Sequence, residues 1–484
     1  MSGLAFSILF TYLMNEQILE KTLAALQTIV TPARVSAAQA DRALHAHDQS
    51  SHPDCLPDWV VWPQSTAEVR AILRYANEAC LPVTAWGAGT SLEGNPIPVF
   101  GGIVLDFQQM NQILHIYDTD FQVTVQPGIL YKEMNKILAQ YGLFFAPDPG
   151  ADASIGGMIA NNAAGIRTVK YGATRDNVLA LEVVLASGEV LRTGSRSVKQ
   201  SAGYDLTHLF VGSEGTLGIV TEATLKLAPL PEHFSAVIAA FPTVELAAEV
   251  VFNIMGSGLE PTALELLNTT AMTILNTEAD IDLVVGPNLF LEFGGASEAS
   301  LQEGLVMVET ICRDYQCQHF RAGVGREARN RLWQARHRFF ETSLRYYSGQ
   351  SYLLTDVAVP ISQFPTLVAA ANELMTRLEC QGTIIGHAGD GNLHTAIFFA
   401  PDDVEARARA SRVNDHLVER ALALGGTCTG EHGVGLGKQK YMLAEHGPVA
   451  LNLMRQLKAT LDPHAILNPG KILTRKSNPE RTIE

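Results

Sequence analysis

From Pro147 to Gly165 the chain runs through nineteen residues of almost entirely small side chains, Pro-Asp-Pro-Gly-Ala-Asp-Ala-Ser-Ile-Gly-Gly-Met-Ile-Ala-Asn-Asn-Ala-Ala-Gly. Such a stretch cannot build a core of its own, because burial of apolar area is what stabilises one. It can instead bring backbone N–H groups and Asn amides against a planar, extended ligand. Two further blocks share this character. Trp86-Gly-Ala-Gly-Thr-Ser-Leu-Glu-Gly94 follows a strand-like run, and Leu209-Phe-Val-Gly-Ser-Glu-Gly-Thr-Leu-Gly-Ile219 leads into one. Of the 40 Gly in the 484 residues, 18 lie between Gly87 and Gly218. Three such loops in one region are hard to explain as turns alone, so this part of the chain reads as a ligand cradle. Neither GxGxxG nor GxxxxGK[ST] occurs, so the Rossmann and P-loop readings have no support.

The length predicts two to three domains. Hydrophobic residues make up 47% and charged residues 18%, ample for a globular core. The formal charge of −15 argues against nucleic-acid binding, which needs a basic face, and disfavours attachment to an anionic membrane. Six Cys with no CxxC support neither a disulfide framework nor a zinc ribbon, and buried, reduced thiols are expected. The apolar run Gly3 to Met14 is too short to span a bilayer and lacks the basic flank and cleavage site of a signal peptide. Met14 is a candidate start, which would place residues 1–13 outside the native chain; a weak membrane-surface anchor is the alternative. The expected location is cytoplasmic, with peripheral contact at the inner membrane left open.

Four segments follow from the pattern: a helical N-terminal segment, 1–52; a glycine-rich domain of strands and helices, 53–230; an α+β domain, 231–424; and a C-terminal segment, 425–484. Ser65 to Cys80 has amphipathic spacing, with Ser65 as helix cap and Glu68 three residues on. Strands are expected at 81–86, 102–106, 121–125, 181–186, 189–192 and 219–227. In the second domain, helices are expected over Val244 to Ile254 and Gly325 to Tyr346, and strands over Val237 to Phe241 and Asn288 to Phe293.

Gly386-His-Ala-Gly-Asp-Gly-Asn-Leu-His394 sets two His seven apart around a Gly-Asp-Gly bend, and Thr429-Gly-Glu-His-Gly433 adds a carboxylate and a third imidazole. Two His and one carboxylate are a plausible divalent-metal set with open coordination positions. A hydrogen-bonded structural His is the competing reading, and it is preferred for His319 and His337.

In this order, the three glycine blocks resemble the FAD-binding domain of the vanillyl-alcohol-oxidase-like flavoproteins. The resemblance implies an α+β fold: a two-subdomain FAD-binding domain of the PCMH type plus an α+β cap (substrate) domain with an antiparallel sheet. It implies flavin contacts from Gly87, Ala88, Gly89, Thr90, Ser91 and Gly94 in the first loop. The second loop would contribute Pro147, Asp148, Ser154, Gly156, Gly157, Asn161, Asn162 and Gly165, followed by Tyr171 and Gly172. The third would contribute Glu214, Gly215, Gly218 and Ile219, and Asn468 would join them from the C-terminal segment. The first loop has no His or Cys, so FAD is expected to be non-covalent.

Thr355-Asp-Val-Ala-Val-Pro-Ile-Ser362, the His387 to His394 block, Gly426 to Gly435 and Asn468-Pro-Gly-Lys471 resemble the FAD-linked D-2-hydroxyacid dehydrogenases. Within them the D-lactate (cytochrome) branch is nearest, with the glycolate-oxidase-subunit branch close. The resemblance implies a divalent metal, Zn or Mn, on His387, His394 and Glu431, with His432 as the base. Arg336 would bind the substrate carboxylate; its competing reading is a solvated helix charge. Phe340 and Leu354 stand where the D-2-hydroxyglutarate branch would place a Thr and a Lys, which weakens that reading. The implied partners are a small-molecule 2-hydroxy acid and an external electron acceptor (a cytochrome, a quinone or an electron-transfer protein), with a homodimer as candidate assembly. Rival readings are a glycolate-oxidase-type subunit and a non-redox flavin-containing ether-lipid synthase.

Overall fold

The structure, a computed structural model, describes residues 16–277, 282–337 and 339–474; the reading of residues 1–13 lies outside them. Its first sheet has four strands in the order Val35–Ser36, Trp59–Val61, Ile103–Asp106, Val83–Trp86, the last three paired in parallel. The helix Thr66–Glu78 covers it because Val69, Ile72, Leu73 and Ala76 recur at three- and four-residue intervals, and all four are buried. Ser65 Oγ accepts from Glu68 N as expected, at 3.3 Å. The Glu68 carboxylate accepts from Gln64 N and pairs with both terminal nitrogens of Arg34, tying the helix start to the N-terminal segment. Among the described residues that segment is α-helical over Glu16–Val30 and Gln39–Leu44.

A second sheet of five strands is antiparallel throughout, in the order Ile113–Tyr117, Gln122–Val125, Ile219–Lys226, Val178–Val184, Val190–Gly194. Tyr131–Leu138 and Ile155–Asn161 pack on it through Met134, Leu138, Ile155, Met158 and Ile159.

The third sheet is also antiparallel, with seven strands along its path and the short strand Val357–Ala358 beside them. One face packs on the helices Val244–Gly256, Glu298–Asp314, Phe364–Arg377 and Val404–Ala423, in the largest apolar cluster. The other carries a smaller cluster around Trp333, Phe339 and Met272. Residues paired across strands share a face, as do residues two apart along one strand. Glu265 pairs with His387, and His394 with Ile385, so Glu265, His387 and His394 all project from this second face.

The helix expected over 325–346 is borne out among the described residues as Arg326–His337 and Phe339–Tyr346. All six Cys are free, but only Cys312, Cys317 and Cys428 are buried, and Cys80 is exposed.

Candidate flavin and oxidation site

The glycine loops meet between the first two sheets. They open a cleft lined by Gly87, Ser154, Gly156, Gly157, Gly215, Gly218 and Ile219 among the expected residues, and by Trp86, Phe107, Pro127 and Phe210 beside them. Ser154 caps the short helix Ile155–Asn161 by accepting from Gly157 N. Its N-terminal amides therefore open towards the cleft, which suits a pyrophosphate.

Several expected residues hold the loops instead of lining the cleft. Asn162 adopts a left-handed conformation and accepts from Arg175 N at 2.8 Å. Asp148 accepts from the Tyr131 hydroxyl and lies 3.7 Å from Arg167. Gly165 passes directly against the Asp148 carbonyl, and Gly172 against Asp176. Tyr171 packs edge-on against Phe144. Glu214 is fully buried and accepts from Val434 N and Gly435 N. Asn468 donates to the carbonyls of Asn95 and Glu214. Thr90 and Ser91 sit in the first loop, where Ser91 O accepts from Gln49 N. Asp48 accepts from Gly94 N, and Tyr352 of the third sheet donates to Gln49 O. The N-terminal segment thus braces the first loop, a role its sequence did not reveal.

His387 ends the strand Gln381–His387 and His394 lies in Asn392–Phe399, joined by a tight turn at Gly391 (φ 71°). A Cβ at Gly391 would sit 2.1 Å from the Val359 carbonyl, so only Gly closes this hairpin. The Nε2 atoms of both His lie 3.1 Å from the same oxygen of Glu431. On the far side of each ring, Nδ1 of His387 faces Glu265 at 2.7 Å and Nδ1 of His394 faces the Thr355 carbonyl at 3.3 Å. With both Nδ1–H groups so committed, two ring lone pairs and a carboxylate converge, and a proton or a cation must lie among them. The other oxygen of Glu431 is buried without a partner. The donor set, two imidazoles and a carboxylate within 4.8 Å of one another, fits a divalent cation. Burial opposes charge on His387, but the carboxylates of Glu265 and Glu431 outweigh it and hold its pKa well above the ordinary value. Burial likewise opposes ionisation of Glu431, yet His387 and His394 pull it well below the usual carboxylate range.

His432 stacks on His394, with ring centroids 5.0 Å apart and planes within 13°. Its Nδ1 is buried without a partner, and burial above all lowers its pKa to about 4, leaving a neutral ring. Its carbonyl lies 3.5 Å from Asn161 Nδ2 of the second glycine loop, so the imidazole cluster and the flavin cleft adjoin. Arg336 is not a solvated helix charge. Its side chain is 12% exposed, and Nη2 lies 2.5 Å from Glu265, while Nε has no partner. Phe340 packs edge-on against Tyr352, and Leu354 pairs with Ala396, two residues beyond His394.

Sequence reasoning missed Asp356 and Glu265. Asp356 is fully buried; one oxygen accepts from Thr429 Oγ1, Glu431 N and His432 N, and the other from Asn392. It holds the loop that presents Glu431 and His432. Both residues carried one signal, a carboxylate inside an apolar run, which is rarely buried unless paired.

The fold and this site define a flavoprotein oxidoreductase. Residues 57–194 match the family described as FAD binding domain, and residues 230–472 match FAD linked oxidases, C-terminal domain. The chain belongs to this FAD-linked oxidase family. It is 40% identical to a probable mitochondrial D-lactate dehydrogenase of Danio rerio, over 94% of this chain and 92% of that one. It is also 40% identical to the mitochondrial D-lactate dehydrogenase [cytochrome] of Arabidopsis thaliana, over 95% of this chain and 81% of that one. Among solved structures, 4-ethylphenol oxidase from Gulosibacter chungangensis shares the fold, with a TM-score of 0.77 at 19% identity, covering 96% of this chain and 98% of that one. No helix among the described residues is long and apolar enough to cross a membrane.

Proposed function

We propose that the protein oxidises a D-2-hydroxy acid, D-lactate first among them, to the 2-oxo acid, and delivers the electrons to an acceptor outside the chain. The observation that carries this reading is the convergence of His387, His394 and Glu431 beside His432, next to the flavin loops. The two relatives at 40% identity support the substrate.

Oxidation removes the α-hydrogen with an electron pair and the hydroxyl proton. FAD, bound without a covalent link, supplies the two-electron acceptor. No His or Cys is among the residues lining the cleft. His387, His394 and Glu431 would hold a divalent cation, zinc or manganese, which supplies Lewis acidity towards the α-hydroxyl. His432 takes the hydroxyl proton, its ring kept in place by the stack on His394 and by the Asp356 contact to its backbone. Arg336 offers its remaining guanidinium donors to the substrate carboxylate and so orients the α-carbon.

Anaerobic titration of the yellow protein with paired D- and L-2-hydroxy acids tests the reading. D-Lactate is expected to bleach the flavin and L-lactate to leave it oxidised; bleaching by the L-acid alone would overturn the stereochemistry. His432→Ala should abolish substrate-driven bleaching with the bound-flavin spectrum intact, and unchanged bleaching would remove His432 from the role.

A further inference from the structure

Glu265 lies in the middle of Ala263–Leu267, a strand buried at every position, and is itself 0% exposed. A carboxylate there costs several kcal/mol unless both oxygens are satisfied. One faces Nδ1 of His387 at 2.7 Å and the other Nη2 of Arg336 at 2.5 Å. The pairing is not generic cement for the helix Arg326–His337. Seven residues earlier, on the same helix face, Arg329 pairs with Glu292 of the next strand, and that pair touches none of the imidazoles. Among the described residues, Glu265 alone joins a residue of the cation site to the guanidinium assigned to substrate.

We propose that Glu265 is a positioning residue with two hands. By accepting from Nδ1 it fixes the His387 tautomer that leaves Nε2 free for a cation. By holding Nη2 it aims the rest of the Arg336 guanidinium at the substrate carboxylate. A carboxylate behind a metal-binding imidazole orients the ring and strengthens it as a ligand. Gln in its place keeps the volume but can accept from only one of its two partners, because its amide nitrogen is a donor. The inference rests on the function proposed above.

The test uses holoenzyme stripped of metal with FAD retained, titrated with Zn²⁺ alone against a chromogenic chelator, and D-lactate kinetics after reloading. His394→Ala gives the baseline for Zn²⁺ held elsewhere. Glu265→Gln is expected to weaken Zn²⁺ binding about 10- to 100-fold and to raise KM for D-lactate, with the flavin spectrum retained. Wild-type values of both, or a change in only one, overturn the two-handed role. Should E265Q fail to retain FAD, Glu265→Asp replaces it. That variant keeps the charge but is one carbon too short to span both partners, and wild-type values of both would again overturn the proposal. Wild-type protein that binds no Zn²⁺ above the baseline refutes the cation reading and this inference with it. Wild-type binding with an unaffected E265Q refutes this inference alone.

Discussion

At Gly87 a methyl group would sit 2.2 Å from the Ser154 hydroxyl, the atom that caps the cleft helix. Gly87→Ala should therefore displace that cap, cost about 1 kcal/mol and weaken FAD binding; titration of the apoprotein with FAD and the thermal midpoint check both. Glu93, at the end of the same loop, shows a second constraint at this scale. Burial raises its pKa to about 8, with Asp356, Glu214 and Asp48 adding to the effect and Lys438 opposing it. The folded chain thus keeps a proton that the unfolded chain has released between pH 4.5 and 8. Its contribution to stability is full below the unfolded value and is lost as pH rises through the folded one. Glu93→Gln should make the thermal midpoint fall less between pH 5 and 9 than it does in wild type. An identical slope would remove Glu93 as the cause.

Among the elements, the end of the helix Met442–Leu461 shows how the C-terminal chain is tied to the flavin loops. Lys458 Nζ donates to the carbonyls of Thr216 and Leu467 and lies 2.5 Å from Asp462, whose carboxylate also accepts from Ile466 N and Leu467 N. Lys458→Met should lower unfolding free energy by about 3 kcal/mol, read as a lower urea midpoint, because Asp462 is left buried without its counter-charge. Legibility also divided at this scale. The helices Thr66–Glu78 and Val244–Gly256 were readable because one face is apolar at a 3.6-residue period. The strands Ala263–Leu267 and Asn392–Phe399 were not read as strands, because both of their faces are buried and no alternation marks them.

Across the whole molecule, residues 462–471 lie against the flavin sheets. Val83 N donates to Ile466 O, Asn468 N to Val83 O, and Lys471 Nζ contacts the Ile97 carbonyl. A chain ending at Leu461 should lose FAD on gel filtration where the full chain retains it; equal retention would make these contacts dispensable. The charge of −15 takes its meaning at this scale too. An acidic chain that binds the FAD pyrophosphate and, in the function proposed above, a substrate carboxylate must attract them locally. The cleft offers backbone amides, and the oxidation site one Arg beside its imidazoles.

The amino-acid order alone marked the glycine-rich loops between residues 87 and 218 as a ligand cradle, because so many residues without bulk add little to a core and suit turns and close approach. It also marked His387, His394, Glu431 and His432, since His and carboxylate between glycines carry their chemistry in their residue types. Tertiary structure decided which groups stand behind them. Glu265 lies 122 residues before His387 and Asp356 lies 76 before His432, and nothing local links them. Strand register and helix packing bring these carboxylates to the imidazoles. Sheet pairing is set by burial summed over the whole domain, so no window of sequence contains it.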